Sequence, residues 1–427
     1  MKIRQFFALA FFVFFVRFAD CVNNRRLGKL ENQSWTNHHL LGKNDYPYLP
    51  SNDYPDFSAV GALISDEGIL GTATLVAPDI IITAAHVIKN RTNDPLPLAK
   101  EWQFYLYHDF DLASAENIYA VQYFIIHPEW INRQIKKPPL GDGDKLGVDL
   151  ALAKLERPVL GVQPFRLPGI ESLVINQKIY IAGYGNLIEG ENGLSDPQNS
   201  RRMAGENVLD RVVKEIKIED NSVNSNGGLL AFDFDSPSNG HNQLGHNTGK
   251  IDYLTTGSSE SSPLNFEVST AEGDSGGPLI AFQDNIWRIF GTVSYGTSDS
   301  TYGDVTILTR LSNHLEWIQD KLPFWPSEKI INDQGWRESE WFGYFLPFST
   351  GWNYHSKLGW FWSIPKNDND VWAYFNHMGW LWLSRSIFPY MYSYNEKNWY
   401  YVDLANADQT HWFLFDFKTS SWKTADL

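Results

Sequence analysis

The chain has 427 residues, 43% of them hydrophobic, enough for two or three separately packed cores. A formal net charge of −15 without a basic stripe argues against a nucleic-acid partner, since nothing is placed to neutralise phosphates, and the acidity reads as a solubility device. A single cysteine, Cys21, excludes an internal disulfide framework, so packing must supply the stability that small exported domains often take from cross-links.

Lys2 and Arg4 precede an apolar run from Phe6 to Val16 that is too short to span a bilayer and has the form of a signal peptide. Ala19 and Cys21 suit cleavage after Cys21. This makes 1–21 the signal peptide and leaves a secreted mature chain with no cysteine and no transmembrane segment. Asp20 argues against the alternative, an acylated Cys21. Residues 22–45 read as a linker or pro-segment.

From Asp56 to Ile307, short β-type runs such as "FSAVGALIS", "GTATLVAPDIIITAAHVI", "YAVQYFIIHP", "DLALAKLE", "KIYIAGYG" and "NIWRIFGTVSYG" alternate with turn residues. This spacing predicts an all-β sandwich or barrel. The stretch between Gly185 and Gly273 reads as large surface loops around one or two strands, including "GLLAFDFD". Asp233 and Asp235 then share one strand face as solvated charges rather than as a calcium site. Leu311, Leu315, Ile318 and Leu322 repeat at helical spacing, with Ser312 or Asn313 as N-cap and Pro323 as the stop.

Eleven of the seventeen tryptophans follow Pro326, which marks 323–427 as a separate module. Trp352, Tyr354, Gly359, Trp360 and Trp362 recur twenty residues on as Trp372, Tyr374, Gly379, Trp380 and Trp382. Tyr392, Tyr394 and Tyr400 are read as a third copy and Trp412 as part of a fourth. Such a period predicts stacked β-hairpins, each too small to bury its own face.

The chemistry concentrates in three places. "GDSGG" places Ser275 after Asp274 among Gly273, Gly276 and Gly277, "IIITAAHVI" carries His86 off the end of an apolar strand, and "GVDLALAKL" opens with Asp149. The glycine-flanked serine also fits the nucleophile elbow of α/β-hydrolases. That fold needs its acid and histidine after the serine and an alternation of strands and helices, and neither is present.

"TAAH", "DLALAKL", "GDSGGPL", "VSYG" and the closing "LSNHLEWI", in this order, resemble the chymotrypsin-like (trypsin-fold) serine peptidases, in their bacterial secreted type. The resemblance covers roughly Asp56 to Leu322 and implies a peptidase domain over 46–322, with two six-stranded antiparallel β-barrels and a closing helix. It implies Ser275 as nucleophile, His86 as general base and Asp149 as the acid that orients it. The amides of Gly273 and Ser275 would form the oxyanion hole. Ser294 would bond the triad aspartate, and Tyr295 and Gly296 would offer backbone to a substrate strand. Ser269 would floor the primary pocket, with Thr270, Glu272, Gly296 and Thr306 around it. Asp274 would meet a new N-terminal amine, although no "IVGG" precedes the domain, and Ala271 stands where the family has a cysteine. A pocket floor without a carboxylate implies cleavage after uncharged residues. No cofactor and no metal is expected.

The aromatic repeats loosely resemble cell-wall-binding (choline-binding) repeats, implying a cell-wall or glycan ligand alongside the polypeptide substrate. The alternative function is a catalytically silent homologue that works as a cell-surface or glycan-binding protein.

Overall fold

The structure is a computed structural model that describes residues 38–43, 54–90, 94–133, 144–159, 161–169, 175–188, 190, 193, 195–196, 199–218, 221–236, 241–246, 254–283, 285–297, 301–322, 329–331, 336–347, 352–365, 369–407 and 411–426. The expected signal peptide, its cleavage site and Pro323 lie outside them.

Six strands close the first barrel: β1 (Val60–Ser65), β2 (Leu70–Ala77), β3 (Ile80–Thr83), β4 (Trp102–Tyr105), β5 (Ile118–Ile126) and β6 (Ala151–Leu155), in the order β1-β2-β3-β6-β5-β4. Closure removes the sheet's free edges. Leu63, Leu75, Ile81, Phe104 and Leu155 fill the interior.

A second sheet has seven strands: β7 (Lys178–Gly183), β10 (Met203–Val208), β11 (Arg211–Ile218), β12 (Asn221–Asp233), β13 (Pro278–Gln283), β14 (Ile286–Gly296) and β15 (Val305–Arg310), ordered β10-β7-β13-β14-β15-β12-β11. A two-stranded ribbon, β8 (Leu187–Ile188) and β9 (Ser195–Asp196), stands apart. From the edge strand β10, Asn207 Nδ2 donates to Asp233 O at 3.0 Å and to Val268 O at 2.8 Å, so a side chain ties β10 to β12.

The stretch expected to be loops around one or two strands thus holds three strands of the main sheet. β11 was hidden from a period-two reading by a bulge between Val213 and Glu215, which breaks the alternation of its buried Val213 and Ile216.

Asp233 ends β12 and Asp235 lies beyond it; both are buried, which corrects their reading as solvated charges. Asp233 Oδ2 accepts from Leu244 N at 2.8 Å, Ser259 Oγ donates to Asp210 Oδ1 at 2.9 Å, and Asp235 N donates to Glu267 Oε1 at 2.7 Å. Burial, then the facing Asp233, pushes Asp210 up to about 8, and the same causes push Asp235 up to about 9. Protonation, not solvation, is what makes this crowding tolerable. Among the described residues, no three His, Cys, Asp or Glu side chains are grouped to hold a metal ion.

Helical pieces are short. Residues 38–43, inside the stretch expected as linker or pro-segment, form a helix, α1, packed on the domain: His38 Nδ1 bonds Ala204 O at 2.8 Å, Leu41 joins the first barrel's core, and Arg202 Nε donates to Gly42 O at 2.6 Å. Burial pushes His38 down to about 4, so it is neutral. α2 (Ala85–Ile88) and α3 (Pro128–Asn132) sit on the first barrel, and α4 (Gln243–His246) follows β12. The closing helix starts one turn earlier than expected, as a 3-10 turn over Leu311–His314 that becomes α5 (Leu315–Lys321). Neither Ser312 nor Asn313 caps it, because both lie inside the turn and Arg310 takes the cap position without a side-chain bond. Leu311 and Ile318 pack into the first barrel's core, so the end of the domain is strapped back onto its beginning.

The aromatic module is one eleven-stranded antiparallel meander: β16 (Lys329–Ile330), β17 (Arg337–Ser339), β18 (Gly343–Pro347), β19 (Trp352–His355), β20 (Gly359–Pro365), β21 (Asp370–Phe375), β22 (Gly379–Ser384), β23 (Tyr390–Ser393), β24 (Asn398–Val402), β25 (His411–Asp416) and β26 (Ser421–Asp426). Its buried face carries Phe345, Phe361, Val371, Ala373, Phe375, Leu381, Leu383, Met391, Val402 and Leu414. The repeated aromatics occupy the other face, where Trp352 pairs with Trp362 and Trp372 with Trp382.

The third copy differs from its expected register. Tyr390 pairs with Tyr401 and Tyr392 with Trp399, the counterparts of Trp372–Trp382 and Tyr374–Trp380. Tyr394 falls beyond the end of β23, and Tyr400 and Trp412 are buried on the inner face. The repeat shortens by one or two residues there, and a one-residue shift moves a side chain to the opposite face.

Candidate active site

β3 is the apolar run Ile80–Thr83, fully buried, and the chain turns at Ala84 into α2, which presents His86 at the barrel's rim. Asp149 precedes β6 by two residues rather than opening it. Its carboxylate is 1% exposed. Oδ2 meets His86 Nδ1 at 2.7 Å, and Oδ1 accepts the backbone N–H of His86 at 2.8 Å. Ser294 Oγ, from β14 in the other sheet, donates to Asp149 Oδ2 at 2.6 Å. His86 Nε2 lies 2.8 Å from Ser275 Oγ. The three side chains, far apart in sequence, form one continuous hydrogen-bonded chain.

Ser275 sits in a loop of the second sheet that docks on β2. Thr72 N donates to Ser275 O at 2.9 Å, and Thr72 Oγ1 donates to Gly273 O at 2.7 Å. Gly276, at φ +85°, allows the approach: a Cβ there would stand 2.1 Å from Thr83 Oγ1 and 2.4 Å from Thr72 O. Gly273, at φ +103°, turns the chain just before the serine. Asp274 N and Gly276 N are bonded to Ala271 O and Val293 O, whereas the amides of Gly273 and Ser275 take no carbonyl among the described residues. Those two donors are available to an oxyanion.

Burial lowers the proton affinity of His86, but the charge and hydrogen bond of Asp149 outweigh it and, with Asp144 adding in the same sense, leave the imidazole raised above its ordinary value.

The residues expected around the primary pocket also come together. Ser269 and Thr306 hydroxyls lie 3.3 Å apart, those of Thr270 and Thr306 2.6 Å, and Gly296 pairs with Thr306 across β14 and β15. Glu272 is half-buried at the loop's edge, its carbonyl accepting Asn186 N at 2.9 Å. Tyr295 carries the Lys145 ammonium 4.4 Å above its ring. Asp304, which the sequence reading missed, is buried two residues before Thr306 and accepts from Thr297 Oγ1 at 2.9 Å. Asp144 and Thr309, also missed, surround Asp149: Asp149 N donates to Asp144 Oδ2 at 3.0 Å, and Thr309 Oγ1 to Asp149 O at 3.1 Å.

Asp274 is 1% exposed and lies against Gly183, where a Cβ would be 1.7 Å from its Oδ1. That oxygen accepts Gly185 N at 2.9 Å, and Oδ2 is buried with no hydrogen-bond partner among the described residues. Burial raises this carboxyl well above the ordinary range, against the smaller effect of the Gly185 bond. The folded chain holds a proton that the unfolded chain releases above the usual carboxylate range, so this acid costs stability progressively as pH rises toward its folded value. Asp274→Asn in the full chain is expected to be more stable than wild type at pH 8 and to lose that advantage toward pH 4, measured by urea unfolding at both pH values. An unchanged difference between the two would contradict this state of Asp274.

A family model described as Trypsin matches residues 53–227, a span that contains His86 and Asp149 and ends before Ser275. Tryptase from Mus musculus is 24% identical over 256 residues, covering 58% of this chain and 77% of the relative. Transmembrane protease serine 11G from Mus musculus is 28% identical over 263 residues, covering 60% of this chain and only 50% of the relative. Chymotrypsin-C from Mus musculus is 40% identical over a shorter 58 residues, 22% of its length. No helix among the described residues is long and apolar enough to cross a membrane. The closed six-stranded barrel, the matched span 53–227 and the protease relatives make the chain similar over this region to the trypsin-like serine peptidases, and support its assignment as a serine endopeptidase, a hydrolase.

Proposed function

We propose that the chain is a secreted endopeptidase that cleaves polypeptides through an acyl-enzyme, with Ser275, His86 and Asp149 as its triad. The observation that carries this reading is the unbroken hydrogen-bond chain from Asp149 through His86 to Ser275, beside two unclaimed amides. Ser275 Oγ adds to the scissile carbonyl carbon as its proton passes to His86 Nε2, and the carbonyl oxygen takes the negative charge beside the N–H groups of Gly273 and Ser275. Asp149, held by Ser294 and by the His86 amide, keeps the Nδ1 proton and stabilises the imidazolium. Collapse of the tetrahedral adduct breaks the C–N bond as His86 returns its proton to the leaving amine. Water then repeats the sequence on the acyl-enzyme and restores the serine. Asp274 is the acceptor for a processed N-terminal amine, a role suited to a buried carboxyl with one oxygen unclaimed. In the catalytically silent reading, the same side chains would be present without turnover.

A fluorophosphonate probe is expected to label the mature secreted chain, and Ser275→Ala and His86→Ala to lose both labelling and hydrolysis by about 10⁴-fold or more. The acid limb of kcat/KM is expected to have a midpoint above pH 6.5, because His86 must be neutral to accept the proton and its affinity for that proton is raised. Absence of probe labelling in a folded, correctly processed chain would leave only the silent reading.

At the primary pocket, the hydroxyls of Ser269, Thr270 and Thr306 present no carboxylate to a cationic side chain, and the enzyme cleaves after uncharged residues, small or medium apolar ones above all. A peptide library scored by mass spectrometry is expected to show that preference. Dominant cleavage after Arg or Lys would overturn it and would direct attention to Asp304.

The aromatic module is the docking part, taking cell-wall or glycan chains on its outer face. The support is an open row of rings, with Trp360 49% and Trp422 58% exposed, of the kind that stacks on sugar faces or attracts quaternary ammonium groups. The full chain is expected to sediment with cell envelopes or insoluble polysaccharide, and Trp360→Ala with Trp382→Ala to release it. Equal sedimentation of the variant and wild type would remove this face from the account.

A further inference from the structure

The connection that delivers Asp149 to the site is organised around a second acid. Asp144 is 1% exposed, and its two oxygens gather four consecutive backbone amides. Oδ1 accepts Leu146 N at 3.0 Å and Gly147 N at 2.9 Å, and Oδ2 accepts Val148 N at 2.9 Å and Asp149 N at 3.0 Å. The outside of the loop is fastened to the second sheet. Thr309 on β15 lies 3.3 Å from Asp144 Oδ2 and 3.1 Å from Asp149 O, and His314 Nε2 lies 2.5 Å from Gly147 O.

We propose that Asp144 is a positioning residue for the triad: by collecting the amides of 146–149 on one carboxylate, it fixes where Asp149 meets His86, and its charge favours the imidazolium formed in the reaction. A carboxylate suits this place because it is acceptor-only, with room for two donors on each oxygen. An asparagine of the same shape would turn an NH2 group toward two N–H donors. Burial and the neighbouring Asp149 push the Asp144 carboxyl up, while the amide bonds pull the other way. With donors on both oxygens, no lone pair is left facing a proton source.

The other charges near the pair are accounted for. Arg133 opposes protonation of His86, and Lys145 is drawn over the Tyr295 ring. His314 and His127, 4.7 Å apart ring to ring, are both lowered by burial, His127 to about 4. Removal of Asp144's charge therefore acts on His86 without a compensating titration.

The inference rests on the triad reading above, and the experiment separates the two. The full chain and its Asp144→Asn, Thr309→Val and Thr309→Ser variants are compared by kcat and KM against pH on one peptide substrate, per probe-titrated active site. Asp144→Asn is expected to lose at least about tenfold in kcat with little change in KM, and to move its acid limb to lower pH. Thr309→Val is expected to lose rate in the same sense, and Thr309→Ser to keep it. A purely structural residue would lower the number of titrated sites without moving the acid limb. A folded Asp144→Asn with wild-type kcat per site and an unmoved acid limb overturns the proposal. Should that variant not fold, Thr309→Val decides: loss of rate restored in Thr309→Ser supports the proposal, and wild-type rate overturns it. If wild type itself fails to label at Ser275, the triad reading has failed, and this inference falls with it.

Discussion

One threonine of the first barrel holds the backbone of the second sheet where Ser275, the proposed nucleophile, lies. Thr72 uses its N–H on Ser275 O and its hydroxyl on Gly273 O, and the same hydroxyl accepts Tyr184 N at 3.2 Å. Every partner is buried, so a lost bond leaves a polar group stranded at a cost of about 1–3 kcal/mol. The geometry of His86 and Ser275 depends on this seam, because the histidine belongs to one sheet and the serine to the other. Ser294 and Thr309 repeat the device from the opposite side, reaching out of the second sheet to Asp149. With no disulfide available, these cross-seam bonds and the strap of α5 onto the first barrel hold the halves in register.

The domain buries many of its acids. Asp144, Asp149, Asp274, Asp210, Asp233 and Asp235 are all buried, and they are managed in different ways. Asp149 is satisfied by a histidine, a serine and an amide, and Asp144 by four amides. Asp210 and Asp235 are pushed up to about 8 and about 9, and so carry protons at neutral pH. Asp274 alone of these faces Gly183 and Gly185 with one amide bond and an unclaimed oxygen. Asp144 and Asp149, the pair beside His86, are the ones surrounded by donors, the arrangement that the proposed imidazolium would need in a low-dielectric site.

Much of this was legible in the sequence. His86, Asp149 and Ser275 each sit in a local pattern whose purpose is to present one side chain, and Ser269, Ser294, Gly296 and Thr306 follow from their spacing to those motifs within the family resemblance. Thr72 and Asp144 were not legible, because they act on backbone groups, which leave no mark on residue type, and Thr72's partners Gly273 and Ser275 lie some two hundred residues away. β11 escaped through its bulge. Asp233 and Asp235 were misread because charge suggests solvent, while here neighbouring amides and shared protons hold them inside. In the module, two copies fixed the period, but the third hairpin's shortened repeat exchanged faces, so that Trp399 and Tyr401 line the outer surface and Tyr400 the core.

The most direct test is the rate at which a fluorophosphonate labels Ser275 in Thr72→Val compared with wild type and Thr72→Ser. Valine keeps the shape of threonine and removes the hydroxyl that donates to Gly273 O and accepts from Tyr184 N. A tenfold or greater loss of labelling rate in the folded valine variant, restored by serine, is the predicted result. Labelling of Thr72→Val at the wild-type rate would show that the two sheets align the serine and histidine without this contact, and would contradict the account.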